Sequence, residues 1–154
     1  MKSKILKNLT PTEALFEFLA AQIDALRPQF IPRDAVLRPN EMNDCAQRDY
    51  YAIVQIEKVE HMPLTETLTM WRFNAKLILC TKLATGVRVL NALANAMIQR
   101  LDLSQANGAT IRNEFDGKSA RALCYCNAVQ SVEYRHAAAR FQTVLTLECD
   151  VYLE

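Results

Sequence analysis

The stretch that decides the fold is "TVLTLECDVYLE", residues 143–154. Extended back to Phe141, it places Phe141, Thr143, Leu145, Leu147, Cys149, Val151 and Leu153 on one parity. Gln142, Thr146, Glu148, Asp150 and Glu154 fall on the other. A period of two with this segregation is the pattern of a strand that buries one face and wets the other. The sequence stops on its clearest strand, with no catalytic motif near it.

Working back from that strand, the first element is a helix over about residues 11 to 26. In "NLTPTEALFEFLAAQIDALRP", Thr10 suits the cap, Pro11 the first helical position, and Glu13 completes a capping box. Leu15, Phe16, Leu19, Ile23 and Leu26 form its apolar stripe, and Pro28 closes it. Pro28, Pro32 and Pro39 then make residues 28–49 an irregular connector, because proline at that density forbids both helix and central strand. A loop of that length serves a function or simply crosses the surface.

"YYAIVQIEKVE" and "TLTMWRFNAKLILCTK" read as a long hairpin turning at "HMPLTE". Trp71, Phe73, Ala75, Leu77 and Leu79 share a face of its second strand, which exceeds the usual ~5 or 6 residues. A hairpin that long projects beyond the core or lies against a neighbour. "ATGVRVLNALANAMIQRLDL" is the second helix, with Val89, Leu90, Leu93, Ala94, Met97 and Leu101 as its stripe. Its other side, with Asn91, Asn95 and Gln99, is nearly uncharged; it meets a partner or faces water. Asp116-Gly117 marks another hairpin. Beyond it Ala122, Cys124, Cys126 and Ala128 share one parity, and Leu123, Tyr125 and Val129 the other, as in a strand covered on both sides.

The order α-β-β-α-β-β-β predicts one α+β domain over 1–154, with two main helices on an antiparallel or mixed sheet. At 154 residues the chain is long enough to bury a core, and 51% hydrophobic with 23% charged residues is ordinary globular composition. A net charge of +1 makes no case for nucleic-acid or membrane binding. No apolar run reaches the ~18 residues of a membrane span, and the basic start lacks the apolar centre of a signal peptide. Five cysteines, Cys45, Cys80, Cys124, Cys126 and Cys149, are an odd number in strand-like sequence and read as reduced apolar residues.

Chemistry is poorly supplied. Only three glycines occur, so phosphate-cradling loops and nucleophile elbows lack their raw material. A zinc site needs two closely spaced ligand pairs, whereas Cys124 and Cys126 are one pair at the wrong spacing, with His61, His136 and Cys45 scattered. Ser131, His136 and Asp150 make a triad only on paper. His61 reads as a loop residue and His136 as part of a solvated turn. No catalytic residue, metal or cofactor is therefore expected. Arg112, Arg121, Arg135 and Arg140, interleaved with Phe115, Tyr125, Tyr134 and Phe141, suit single-stranded nucleic acid or a protein interface. Near-zero net charge favours the interface.

The capped helix "TPTEALFEFLAAQI", the hairpin "AIVQIEKVEHMPLTETLTMWRFNAKLILC", the helix "VRVLNALANAMIQRL" and the ending "RFQTVLTLECDVYLE" together resemble the tail-terminator (tail completion) family of long-tailed bacteriophages. The resemblance covers nearly the whole chain and lies in arrangement rather than an invariant motif. It implies a structural virion protein at the head-proximal end of the tail, assembled in the host cytoplasm as a hexameric ring. Such a ring caps the tail tube protein, stops polymerisation and presents a docking surface to the head–tail connector protein. DNA passes through the lumen without specific binding, and no membrane is involved. A ring would also cover a terminal edge strand through the next subunit. The contact residues expected are Trp71 and Phe73 on the long hairpin, Arg88 on the second helix, Arg112 and Phe115 at the Asp-Gly hairpin, and Arg140. The alternatives are a head-side connector or adaptor ring subunit, and a small ligand-binding domain or enzyme.

Overall fold

The computed structural model describes residues 10–26, 31, 35–39, 49–82, 88–107, 109–115, 118–137 and 140–153; for 102–121 and 137 this extends to the backbone alone. Its elements are α1 (Pro11–Leu26), β1 (Val36–Leu37), β2 (Tyr50–Pro63), β3 (Thr69–Lys82), α2 (Arg88–Asn107), β4 (Ala109–Phe115), β5 (Lys118–Ala137) and β6 (Arg140–Leu153). The class is α+β, and the long elements follow the expected order. The strands form one sheet in the order β1-β2-β3-β6-β5-β4.

The terminal strand is not an edge. β6 pairs antiparallel with β3 from Thr69↔Leu153 to Lys82↔Arg140. On its other side it pairs with β5 from Ala122↔Leu153 to Ala137↔Arg140. No neighbouring subunit is needed to cover it, which corrects the expectation of an exposed terminal strand. The same pairing holds β3 along its whole length, while the far end of the β2–β3 hairpin extends beyond the covered core, as its length implied. Of the two hairpin strands β2 is the outer one, and its burial falls away after Val54.

The connector contains the unforeseen β1, whose Val36 and Leu37 pair parallel with Ala52 and Ile53. Two apolar residues are too short a run for periodicity to register. The hairpin turn also comes later than expected. β2 runs on through His61 to Pro63, which an edge strand tolerates because the missing N–H faces no partner. Thr65 Oγ1 then accepts hydrogen bonds from the Thr67 and Leu68 amides at 3.3 and 3.1 Å, closing the turn. At the second hairpin Phe115 pairs with Lys118, which leaves two residues between the strands; Asp116 and Gly117 themselves lie outside the described residues.

Helix α1 starts where its cap predicts, with the Glu13 amide donating to Thr10 Oγ1 at 3.2 Å. The Glu13 carboxylate reaches forward to Arg38 instead of closing the capping box. Ala14, Leu15, Phe18, Leu19 and Ala20 are fully buried, as are Ala94 and Leu101 on α2. They join Phe73, Ala75, Leu77, Leu145, Leu147 and Val151 in one contiguous core. α2 packs chiefly on β5, and α1 packs on α2, β6, β2 and β5. The parity expected for β5 fails at one point. A bulge between Cys126 and Ala128 places Cys126 opposite Cys149 but Ala128 opposite Glu148, so Ala128 turns to the face away from Cys126.

Because β6 is held on both sides, removing residues 149–154 strips partners from Phe73, Trp71, Cys124 and Cys126 together. The truncated chain is expected to lose its cooperative unfolding transition at every protein concentration, by circular dichroism in urea. A cooperative transition retained by the truncated monomer would contradict the internal placement of β6.

Candidate functional site

The expected contact residues do not converge. Trp71 is half-buried near the turn of the β2–β3 hairpin, where the His61 ring stacks on it at 4.8 Å. Lys58 Nζ lies 5.0 Å from the same ring centroid. His61 is thus a strand residue set opposite Trp71, not a loop residue. Phe73 is 1% exposed and belongs to the core, so its assignment as a contact residue is corrected. The hairpin parity placed Trp71 and Phe73 on one face; Phe73 lies inside the core, while Trp71 is partly buried and packs against it.

Arg88 is exposed at the first position of α2. Arg140 is tied inward: its guanidinium donates to the Tyr51 hydroxyl and lies 4.9 Å from that ring's centroid. It braces the start of β6 against β2 across β3. Arg112 and Phe115 occupy β4 positions opposite Arg121 and Lys118, and their side chains lie outside the described residues. His136 is an exposed β5 residue whose ring sits 5.1 Å from Phe141, not part of a turn.

Two constellations went unanticipated. The first is a charge cluster on the sheet. Arg72 Nε and Nη2 donate to Asp150 Oδ1 and Oδ2 at 3.0 and 3.4 Å. Glu148 and Glu60 flank it at 3.6 and 3.5 Å. The Asp150 hydrogen bond and charge raise the Arg72 pKa further. Arg72 and Asp150 are direct cross-strand partners, a relation that only the register reveals. The Asp150 side chain is 9% exposed, so the fork from Arg72 satisfies a carboxylate that water hardly reaches.

The second is a groove of about 660 Å³ beside the outer strand. Phe16, Glu13 and Thr12 of α1 form one wall, Arg38 and Pro39 another, and Val54 to Glu57 of β2 the floor. Asn74, Lys76, Gln130 and Thr146 extend it across the polar face of the sheet. Arg38 is held by its ion pair with Glu13 and lies 4.0 Å over the Phe16 ring. The groove begins where β1 leaves β2, since the pairing of β1 stops at Ile53.

Among the described residues the thiols are not set up for reaction; Cys45 lies outside them. Cys80, Cys124, Cys126 and Cys149 are buried and unbridged. Burial pushes the Cys124 thiol up to about 12. A hydrogen bond with Cys126, followed by burial, raises Cys149 well above its ordinary range. Thiols that resist ionisation are poor nucleophiles and poor metal ligands. Among the described residues no three His, Cys, Asp or Glu side chains group as a metal site needs, and no helix is long and apolar enough to cross a membrane.

No protein-family model and no curated protein matches the chain. One similar solved structure covers 91% of this chain and 92% of its own, at 11% identity and a TM-score of 0.46. A likeness at that level says nothing of function.

Two outcomes follow from these geometries. Arg72→Ala strands Asp150 without its donor and is expected to cost about 1–3 kcal/mol in urea denaturation. Asp150→Ala in the same background should recover part of that loss, and strict additivity would show the pair to be uncoupled. The thiol prediction concerns alkaline pH. A folded value near 12 against an ordinary 9.0 means the native state keeps its proton while the unfolded chain loses it. Stability is therefore full below pH 9.0 and falls between 9.0 and about 12, by ~1.4 kcal/mol per pH unit for one thiol. Cys124→Ala should flatten that part of the decline when urea midpoints at about pH 8 and about pH 10 are compared.

Proposed function

We propose that this chain is a structural virion subunit whose copies form a ring, hexameric in the working form. The ring caps the head-proximal end of a phage tail tube, ends its polymerisation and offers a docking surface to the head connector. It works by shape and catalyses nothing. What supports the reading is the element order from capped helix to closing strand, together with one observation that carries self-assembly. The exposed large apolar residues among those described are Val59, Met62, Leu64, Val132 and Tyr134. Three belong to the β2–β3 hairpin and two to β5, so they sit on strands separated by β3 and β6. Two apolar margins on opposite sides of one sheet are what a head-to-tail ring requires, since each copy must present two different surfaces. Weak contacts repeated around a closed ring then combine.

The test is mass measurement across concentration, followed by electron microscopy of the protein mixed with purified tail tubes and, separately, with tailless heads. Rings found at one end of the tubes, with tube growth arrested, are the expected result. Rings that decorate heads alone favour the head-side adaptor. A monomer that ignores both particles overturns the reading.

A further inference from the structure

The β2 margin is an unfinished sheet edge. Among the described residues β1 covers Ala52 and Ile53 only, so nothing pairs with β2 from Val54 to Pro63 on that side. β5 is unfinished too. β4 covers it from Lys118 to Cys124, and no described strand follows it from Tyr125 to Ala137. Unpaired N–H and C=O groups on an exposed strand are a standing template for another strand. Bulges interrupt these edges at Val59 on β2 and at Asn127 and Gln130 on β5. The regular stretches that remain are Val54–Lys58 and Ser131–Ala137.

Those two stretches match in sense and in chemistry. β2 and β5 run antiparallel within the sheet, because β2 and β5 each oppose a member of the antiparallel pair β3 and β6. Copies turned about a common axis keep that sense, so β5 of one copy meets β2 of the next as an ordinary antiparallel pair. Their side-chain parity also agrees. Val54 lies in a row with Leu77, Leu145 and Val132, and Ala52 in a row with Leu79, Thr143 and Tyr134. Val132 and Tyr134 therefore point to the buried side of the sheet, yet they are 37% and 61% exposed. On the β2 side the same parity carries Val54 and Ile56, which line one border of the groove, while Gln55, Glu57, Asn74 and Lys76 line it from the polar face. Among the described residues one edge offers apolar side chains without cover, and the other offers an unpaired strand on which Val54 and Ile56 share that parity.

Resting on the self-assembly reading, we propose that residues 131–137 of one copy add as an antiparallel strand to the Val54–Lys58 edge of the next, setting Val132 and Tyr134 on the same face as Val54 and Ile56. The groove then borders a subunit contact. Backbone hydrogen bonds hold the strand, while the two side chains set its register. The contact is heterologous, so every added copy leaves the same two edges free until rotation closes the ring.

Hydrogen exchange on the full chain, read over a concentration series alongside native mass, tests this. Amides of Val54–Lys58 and Ser131–Ala137 should gain protection together as the oligomer forms. Tyr134→Glu, a change at an exposed position, should keep the monomer's melting behaviour. It should raise the concentration for half-assembly by at least about tenfold, the measure of a side chain that matters to an interface. Oligomers that form without protecting those amides, or that ignore Tyr134→Glu, overturn the strand contact and leave ring formation standing. A chain that stays monomeric at all concentrations overturns both.

Discussion

The structure depends on the double pairing of β6. Without it the chain holds two separate hairpins, β2–β3 and β4–β5, and two-stranded units are marginal in water. β6 joins them by filling the place between β3 and β5, residue against residue on both sides. Its apolar parity, with Leu145, Leu147, Cys149 and Val151 fully buried, completes the surface on which the helices rest. Its polar parity supplies Asp150 and Glu148 to Arg72. One strand thus sets the sheet order, the core and the only extensive ion cluster among the described residues. The pairing of residues 69–82 with 140–153 also joins segments far apart in the sequence. Such long-range contacts form late, because closing the intervening chain costs entropy before the contacts repay it.

The sheet is longer than its cover, and the difference creates the surfaces available for contact. α1 has 16 residues, about 24 Å at the helical rise. β2 and β3 have 14 residues each, about 45 Å if fully extended. A helix of that length shields roughly half of such a strand. Burial along β2 follows this ratio, continuous from Tyr50 to Val54 and mostly lost beyond. Trp71, two residues from buried Phe73 and on the same parity, is only partly buried although Val151 and Cys124 in its row are fully buried, so cover thins toward the β2 side. Beyond its packing on the core, it is flanked by the His61 ring and Lys58.

Much of this fold is legible in the residues, for reasons that are local. The Thr10-Pro11-Glu13 start predicts α1 because a cap and a first-turn proline act within four residues. Alternation predicts β3 and β6 because burial on one face imposes a period of two. What alternation does not carry is lateral order. It gave β6 one buried face, which is equally true of an edge strand and a central one, so the partners on both sides stayed hidden. The bulges were hidden for a related reason: an extra residue in β5 changes parity at Ala128 without any glycine or proline to announce it. Phe73 shows the same limit at the level of the site. Its type suits an interface as well as a core, and only its place in the folded core separates the two.

Bulges and bare edges belong to one physical problem. A free edge that is long, flat and regular would recruit strands without limit. Here β2 keeps only five regular residues between β1 and its bulge at Val59, and β5 seven beyond its bulge at Gln130. Shortened edges of this kind make each strand contact weak by itself, and pairing across them is worth little until it is repeated. In the proposed contact, Val132 and Tyr134 on one edge and Val54 and Ile56 on the other add the discrimination that backbone hydrogen bonds lack. An edge of five residues flanked by a shaped groove admits one strand in one register, whereas an open edge admits any. In the proposed assembly the short edges keep each contact weak while the rotation between copies sets the size, and the sheet built around β6 holds the two margins apart.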